Sequence, residues 1–297
     1  MLKIETGAPA QAVLQGAKHV LFVEGTKDGL DVTVLGELLS PKLRVEPLGA
    51  SFSIRSAASA LHAFHPEYWF VIDRDDWDED VVEKSWSTFP DPSHDNLLIW
   101  RRKELESYFL EPDWLMKSAY AMSKASRPKL KKWIEDRASE IVLLAAANRV
   151  LVSHRNRVKR SAGELLKEGD VQGLDRAAVE EKLVAAPLLQ ALRDSASEGL
   201  TEATIRSAFN TECEVLMSGK FPLEFDQGLW RQLMPAKAMF RNLVSTWMRV
   251  PDLAKGGTAR LTGRAAERAV AVDLLKNQQT DAPADLLQLK SLLDTLT

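Results

Sequence analysis

A single cysteine, Cys213, in 297 residues excludes an internal disulfide and any cysteine-cluster zinc site. The five histidines fall at no zinc-ligand spacing. Long apolar runs are missing as well: the most apolar stretch, Ile141 to Ala147, is far below the roughly 20 residues that cross a bilayer. The opening residues do not pair a basic start with an apolar core, so neither membrane insertion nor secretion is expected, and a reducing cytoplasm fits. Gly256-Gly257 lacks the glycine and lysine spacing of a phosphate-binding P-loop, which excludes a built-in ATPase motor of that type. No serine or cysteine sits in a nucleophile motif. Excess charge of one sign is also absent. Lysine and arginine number 39 against 42 acids, a net charge of −3, so composition alone does not announce nucleic-acid binding. Distribution matters more than the sum, and basic clusters do occur: Arg101, Arg102 and Lys103; Lys129 to Lys132; and Arg155, Arg157, Lys159 and Arg160.

What is present is an alternation of short apolar runs with helical periodicity from Lys18 to Leu110, the pattern of an open α/β sheet. His19 to Val23 and Tyr68 to Ile72 are continuous apolar runs, predicted as strands buried on both faces. Leu43 to Leu48 and Asn96 to Trp100 are predicted as further strands. Leu30 to Leu39 and Ser53 to Phe64 carry helical spacing, the first stopped by Ser40-Pro41. After Asp113 helix formers dominate, as in Leu130 to Val152, Ala177 to Asp194 and Ala265 to Lys276. The chain therefore divides into a strand-bearing region, residues 1–112, and a mainly α-helical region, residues 113–297.

Chemistry concentrates at two places. Val23-Glu24-Gly25-Thr26-Lys27-Asp28 and Ile72-Asp73-Arg74-Asp75 each sit where a predicted buried strand ends, which is the edge where open α/β sheets bind ligands. Asp73 and Asp75 are two apart, on one side of an extended chain. Gly25 allows a tight strand-to-helix turn that brings Asp28 beside Glu24. Carboxylates crowded at one mouth repel and call for cations; magnesium or manganese suits hard oxygen ligands, and two such ions can serve a phosphodiester displacement.

A strand ending in Glu24-Gly25, followed by a strand ending in Asp73-Arg74-Asp75, resembles the Toprim domain of topoisomerases, primases and OLD-family nucleases. Arg101 to Leu110, read as helical, resembles the "EIENYL" segment of OLD-type Toprim nucleases; Glu106 matches the metal-binding glutamate, with Glu104 the alternative. Met234-Pro235-Ala236-Lys237 resembles the family's "PGK" segment, with Ala236 where the family has glycine. The resemblance implies a Rossmann-like, mostly parallel Toprim sheet acting as a metal-dependent endonuclease on DNA or RNA. Glu24 and Lys237 would be catalytic, and Glu24, Asp28, Asp73, Asp75 and Glu106 would hold one or two magnesium or manganese ions. Arg101, Arg102, Arg155, Arg157, Lys159 and Arg160 are the candidate nucleic-acid contacts. A free-standing chain of this layout is similar to the Toprim effectors of PARIS-like anti-phage systems. That implies a separate ABC-type ATPase partner and allows a homodimer, with Trp230 and Trp247 as candidate interface anchors. Two alternatives remain: a non-catalytic Toprim-like binding module, and a haloacid-dehalogenase-like phosphatase. The second lacks, around Asp73, the early nucleophilic aspartate and nearby threonine that such phosphatases need.

Overall fold

Four short strands take up the apolar runs. They lie in a computed structural model whose described residues are 19–39, 41–91, 93–158, 165–195, 200–257 and 259–295. Strands β1 (His19–Val23), β2 (Leu43–Pro47), β3 (Tyr68–Ile72) and β4 (Leu97–Ile99) form one sheet in the order β2-β1-β3-β4. Every pairing is parallel, with Val23 beside Pro47, Phe22 beside Phe70, and Ile72 beside Ile99. All four carboxyl ends therefore reach the same edge. Parallel strands need covered faces, which is why β1 and β3 carry few polar residues: Val20, Leu21, Val23, Trp69, Phe70, Val71 and Ile72 are all buried.

The crossovers are helices α1 (Leu30–Leu38), α2 (Ser51–Leu61) and α3 (Glu79–Thr88). From β1 the chain steps outward to β2, and from β3 it steps the other way to β4, so the order reverses between the adjacent central strands β1 and β3. That reversal opens a crevice at the carboxyl edge. Gly25, at φ +97°, makes the turn out of β1, and its N–H donates to Gly49 O at 2.9 Å; an L side chain would be strained at this angle. Helix α3 is pinned to β4 by Trp86 Nε1, which donates to Ile99 O at 2.8 Å.

The remaining chain is helical: α4 (Arg127–Val158), α5 (Arg176–Val184), α6 (Pro187–Ser195), α7 (Glu202–Met217), α8 (Lys237–Trp247), α9 (Gly263–Asn277) and α10 (Ala284–Asp294), with shorter turns between. The change from strand to helix near residue 112 does not divide the core. One hydrophobic cluster runs from Leu21 through Phe109 and Phe240 to Leu293. Helix α9 packs on α1, and α8 packs on the segment around Phe109, whose ring lies 5.3 Å from that of Phe240. Residues far apart in sequence thus close around the sheet edge. Among the described residues no helix is long and apolar enough to cross a membrane.

Several expected elements change shape. Arg101 to Leu110 is not a continuous helix: Glu104 is extended at φ −157° and ψ 164°, and only a 3-10 turn, Leu105–Phe109, follows. Its residues are buried all round, so there is no solvent face to sustain an amphipathic helix. Ala177 to Asp194 divides into α5 and α6, because Pro187 has no N–H to continue the first helix and is accommodated in the first turn of the second. Helix α3 occupies a segment for which no element is predicted from the sequence.

Candidate active site

The site begins with two carboxylates at the ends of adjacent strands. Glu24 follows β1 and Asp73 follows β3, and the backbone N–H of Asp73 donates to Glu24 Oε1 at 3.0 Å. Asp73 is only 7% exposed. Its Oδ2 accepts from Lys237 Nζ at 3.1 Å, and that ammonium also lies 3.3 Å from Glu104 Oε2. Glu104 Oε1 accepts from the backbone N–H groups of Ala236 and Lys237, each at 2.5 Å. The extended backbone at Glu104 aims its side chain at the start of α8, where free N–H groups and the helix dipole favour an anion. Glu104 thereby fixes the helix that delivers Lys237.

Two buried carboxylate oxygens of this cluster are left without a hydrogen-bond partner, Asp73 Oδ1 and Glu106 Oε2. A buried polar atom without a partner is costly, so each marks a place where a further donor or a cation would be stabilising. Electrostatics point the same way. Burial, then the charges of Asp73 and Asp75, push the Glu24 carboxyl up to about 7. Burial with Glu104 and Asp73 pushes Glu106 up to about 7. Asp73 rises to about 6, through burial first and despite the opposing Lys237. Asp75 is raised by burial against the pull of Lys103, whose ammonium donates to the Asp75 carbonyl and to Asp76 Oδ1. Burial works against the charge on Lys237, yet Asp73, Glu104 and Glu106 hold it well above the usual amine range.

Asp31 was not singled out by sequence reasoning, and it belongs to this cluster. It lies in the first turn of α1, and burial together with the charges of Asp73 and Glu106 raises its carboxyl well above the usual range. An acid between Leu30 and Val32, at the start of an apolar helix, was the available signal. Asp28, expected at the mouth, is not gathered there: its side chain is 92% exposed, 3.7 Å from Arg268 Nη1. The same Arg268 nitrogen donates to the Asp28 carbonyl at 2.7 Å, which ties this turn to α9 and leaves the Asp28 side chain in solvent. Glu106 and Glu104 both reach the cluster, which the sequence had posed as a choice between them.

The expected basic contacts are placed differently. Arg101 pairs with Glu83 at 2.6 Å and Asp285 at 3.0 Å and lies over the Trp86 ring; Arg102 pairs with Glu111 at 2.7 Å. Both guanidinium groups are committed to the chain's own carboxylates and tie the strand-bearing region to its surroundings. Arg155 is a half-buried residue of α4 and Arg157 lies in the same helix, while Lys159 and Arg160 lie outside the described residues.

Hard oxygen donors, two partnerless buried oxygens and mutually repelling acids fit a divalent cation such as magnesium or manganese. Among the described residues no three acidic, histidine or cysteine side chains are drawn together closely enough to hold an ion as they stand. The Lys237 ammonium supplies the compensating charge instead.

Fold and site define an α/β protein with an acidic, lysine-compensated cluster at the switch point of a parallel sheet. Comparison with protein-family models, with curated proteins and with solved structures returned no match.

Proposed function

We propose that the chain is a divalent-metal-dependent nuclease of the OLD-type Toprim kind, hydrolysing phosphodiesters of DNA or RNA at this mouth. The observation that carries the reading is the meeting of Glu24 and Asp73 at the ends of adjacent central strands, with Lys237 bound to Asp73. Glu24, Asp73, Asp75 and Glu106, joined by Asp31, are the residues that would hold magnesium or manganese. Such an ion supplies Lewis-acid stabilisation of the charge that develops on phosphoryl oxygens. Glu24, titrating near neutrality, is suited to exchange a proton with the attacking water or the leaving oxygen. Lys237, a compact ammonium already at the mouth, is suited to neutralise charge on the scissile phosphate.

The resemblance extends the proposal to an anti-phage effector controlled by a separate ABC-type ATPase. The tryptophans expected to anchor that contact do not support it. Trp230 is 2% exposed, with its Nε1 donating to Glu224 O, and Trp247 is half-buried against the core beneath Lys124.

Purified protein incubated with plasmid, single-stranded DNA and tRNA tests the activity. Cleavage is expected only with magnesium or manganese and is expected to vanish in Asp73→Asn. Chelator-resistant cleavage, or equal cleavage by the variant, overturns the reading.

A further inference from the structure

Helices α2 and α3 stand apart over the β4 side of the sheet and leave a groove of about 790 Å³, floored by Leu97 and Ile99. The site described above does not use it. Its end nearest the carboxyl edge is formed by Phe52 in the first turn of α2 and by Trp77, four residues beyond Asp73 in sequence. The groove follows α2, whose eleven residues span about 16 Å. It ends near His62 and His94, so it runs from the acidic mouth along the sheet face.

Phe52 is 73% exposed, although it sits on a helix whose buried residues are Ile54 and Ala58. Trp77 is half-buried, with the Arg55 guanidinium 4.6 Å from its ring centroid. Arg55 and Lys84 are exposed, and no ion pair to a carboxylate engages either of them among the described residues. Other basic groups near the mouth are paired, Arg74 with Glu79, Arg101 with Glu83, Arg102 with Glu111 and Lys103 with Asp76, whereas the exposed Lys27 is not part of the groove lining. The acid lining the groove is Asp95. The exposed Phe52 ring, the half-buried Trp77 ring with Arg55 over its face, and two cations without carboxylate partners, in a channel beside the proposed phosphodiester site, make a stacking platform with an electrostatic guide.

We infer that this groove binds single-stranded nucleic acid, with bases stacking on Trp77 and Phe52 and with Arg55 and Lys84 meeting the phosphates, and guides one strand into the mouth. The inference rests on the nuclease reading for its direction, while binding itself requires no catalysis. A single strand has base faces free to stack on aromatic side chains, whereas in a duplex those faces are taken up by neighbouring base pairs.

The test is fluorescence anisotropy of labelled oligonucleotides, single-stranded and duplex, with chelator present so that nothing is cut. Wild type is expected to bind the single strand tighter than the duplex, with affinity falling as salt rises. Arg55→Glu combined with Lys84→Glu is expected to lower single-strand affinity at least tenfold and to flatten the salt dependence by about 1.4, the slope of two phosphate contacts. Trp77→Ala is expected to weaken binding about tenfold. Asp73→Asn is expected to retain binding, which separates a failure of the groove from a failure of the nuclease reading. Photo-cross-linking of wild-type protein, independent of how any variant folds, is expected to label peptides containing Phe52 or Trp77. Equal affinity for duplex, undiminished binding in the double variant, or cross-links confined to other peptides overturns the inference.

Discussion

Two regions of the chain contribute to the mouth in opposite ways. Residues before 112 bring the acids: Glu24, Asp73 and Asp75 from the ends of the central strands, Asp31 from the first turn of α1, and Glu104 and Glu106 from the segment after β4. Residues after 112 bring the compensating cation, Lys237, 164 positions away from the Asp73 that it contacts. The acids are placed by local backbone patterning, because a parallel sheet delivers every strand end to one edge. The lysine is placed by tertiary packing, because α8 is held at the mouth by the Phe109 and Phe240 contact, by packing on α9 and α4, and by the Glu104 cap. A self-repelling set of carboxylates is therefore held in the metal-free chain by a charge borrowed from the other region.

The strongest way to break this division of labour is Lys237→Met. Under the proposed function, cleavage is expected to fall by about 10²–10³-fold, the usual loss for one group stabilising transition-state charge. Manganese is expected to bind the variant at least as tightly as wild type, since the acids have lost their internal cation. A parallel loss of metal affinity would show that Lys237 organises the ligands rather than compensating them.

Next in size is Glu104→Ala, which keeps the lysine but removes the cap that links the regions and one of the two carboxylates paired with its ammonium. Two backbone N–H groups at the start of α8 lose their charged acceptor, so unfolding stability is expected to drop by about 2–3 kcal/mol. Urea unfolding monitored by circular dichroism measures this. An unchanged midpoint would mean that the cap contributes nothing.

The acid side is sharpened by pH. Glu24 and Glu106 rise from 4.5 to about 7 and Asp73 from 3.8 to about 6. The folded metal-free chain thus binds protons that the unfolded chain has already released. Stability from these groups is fully present below pH 3.8 and is lost as pH rises from there to about 7. Thermal melts with chelator are expected to show the melting temperature falling across that window, and added magnesium is expected to restore it more at pH 8 than at pH 5. A melting temperature that rises across the same window contradicts the crowding of these acids.

Much of this arrangement could be read from residue patterns. The buried strands, their order of acids and the helical remainder follow from apolar runs ending in Glu24 and Asp73, since the chemistry of a strand end is written within a few residues. Asp28 and Asp31 show the limit. Both lie just past the β1 turn, and which one faces the mouth depends on Arg268, a residue of α9 some 240 positions away. Arg101 and Arg102 looked available for phosphate because their partners Glu83, Glu111 and Asp285 are assembled only by folding. Trp230 looked like an interface anchor for the same reason. Charge and aromaticity are visible in a sequence, but their satisfaction by distant groups is not.

The smallest expected effect separates those two aspartates. Asp28→Asn is expected to change stability and metal affinity by less than about 0.5 kcal/mol, as for an ordinary exposed position. Asp31→Asn is expected to raise the metal-free melting temperature, by removing a crowded charge, while weakening manganese binding severalfold. Equal behaviour of the two variants in paired melts and titrations would place Asp31 outside the site.

The claim beneath all of these is that the carboxylates at the carboxyl edge bind a divalent cation. Calorimetric titration of manganese into wild type and Asp73→Asn at pH 8, with folding of both checked by circular dichroism, tests it most directly. The account predicts saturable binding to wild type and at least tenfold weaker binding to the variant. No binding to wild type, or equal affinity in the two proteins, would contradict it.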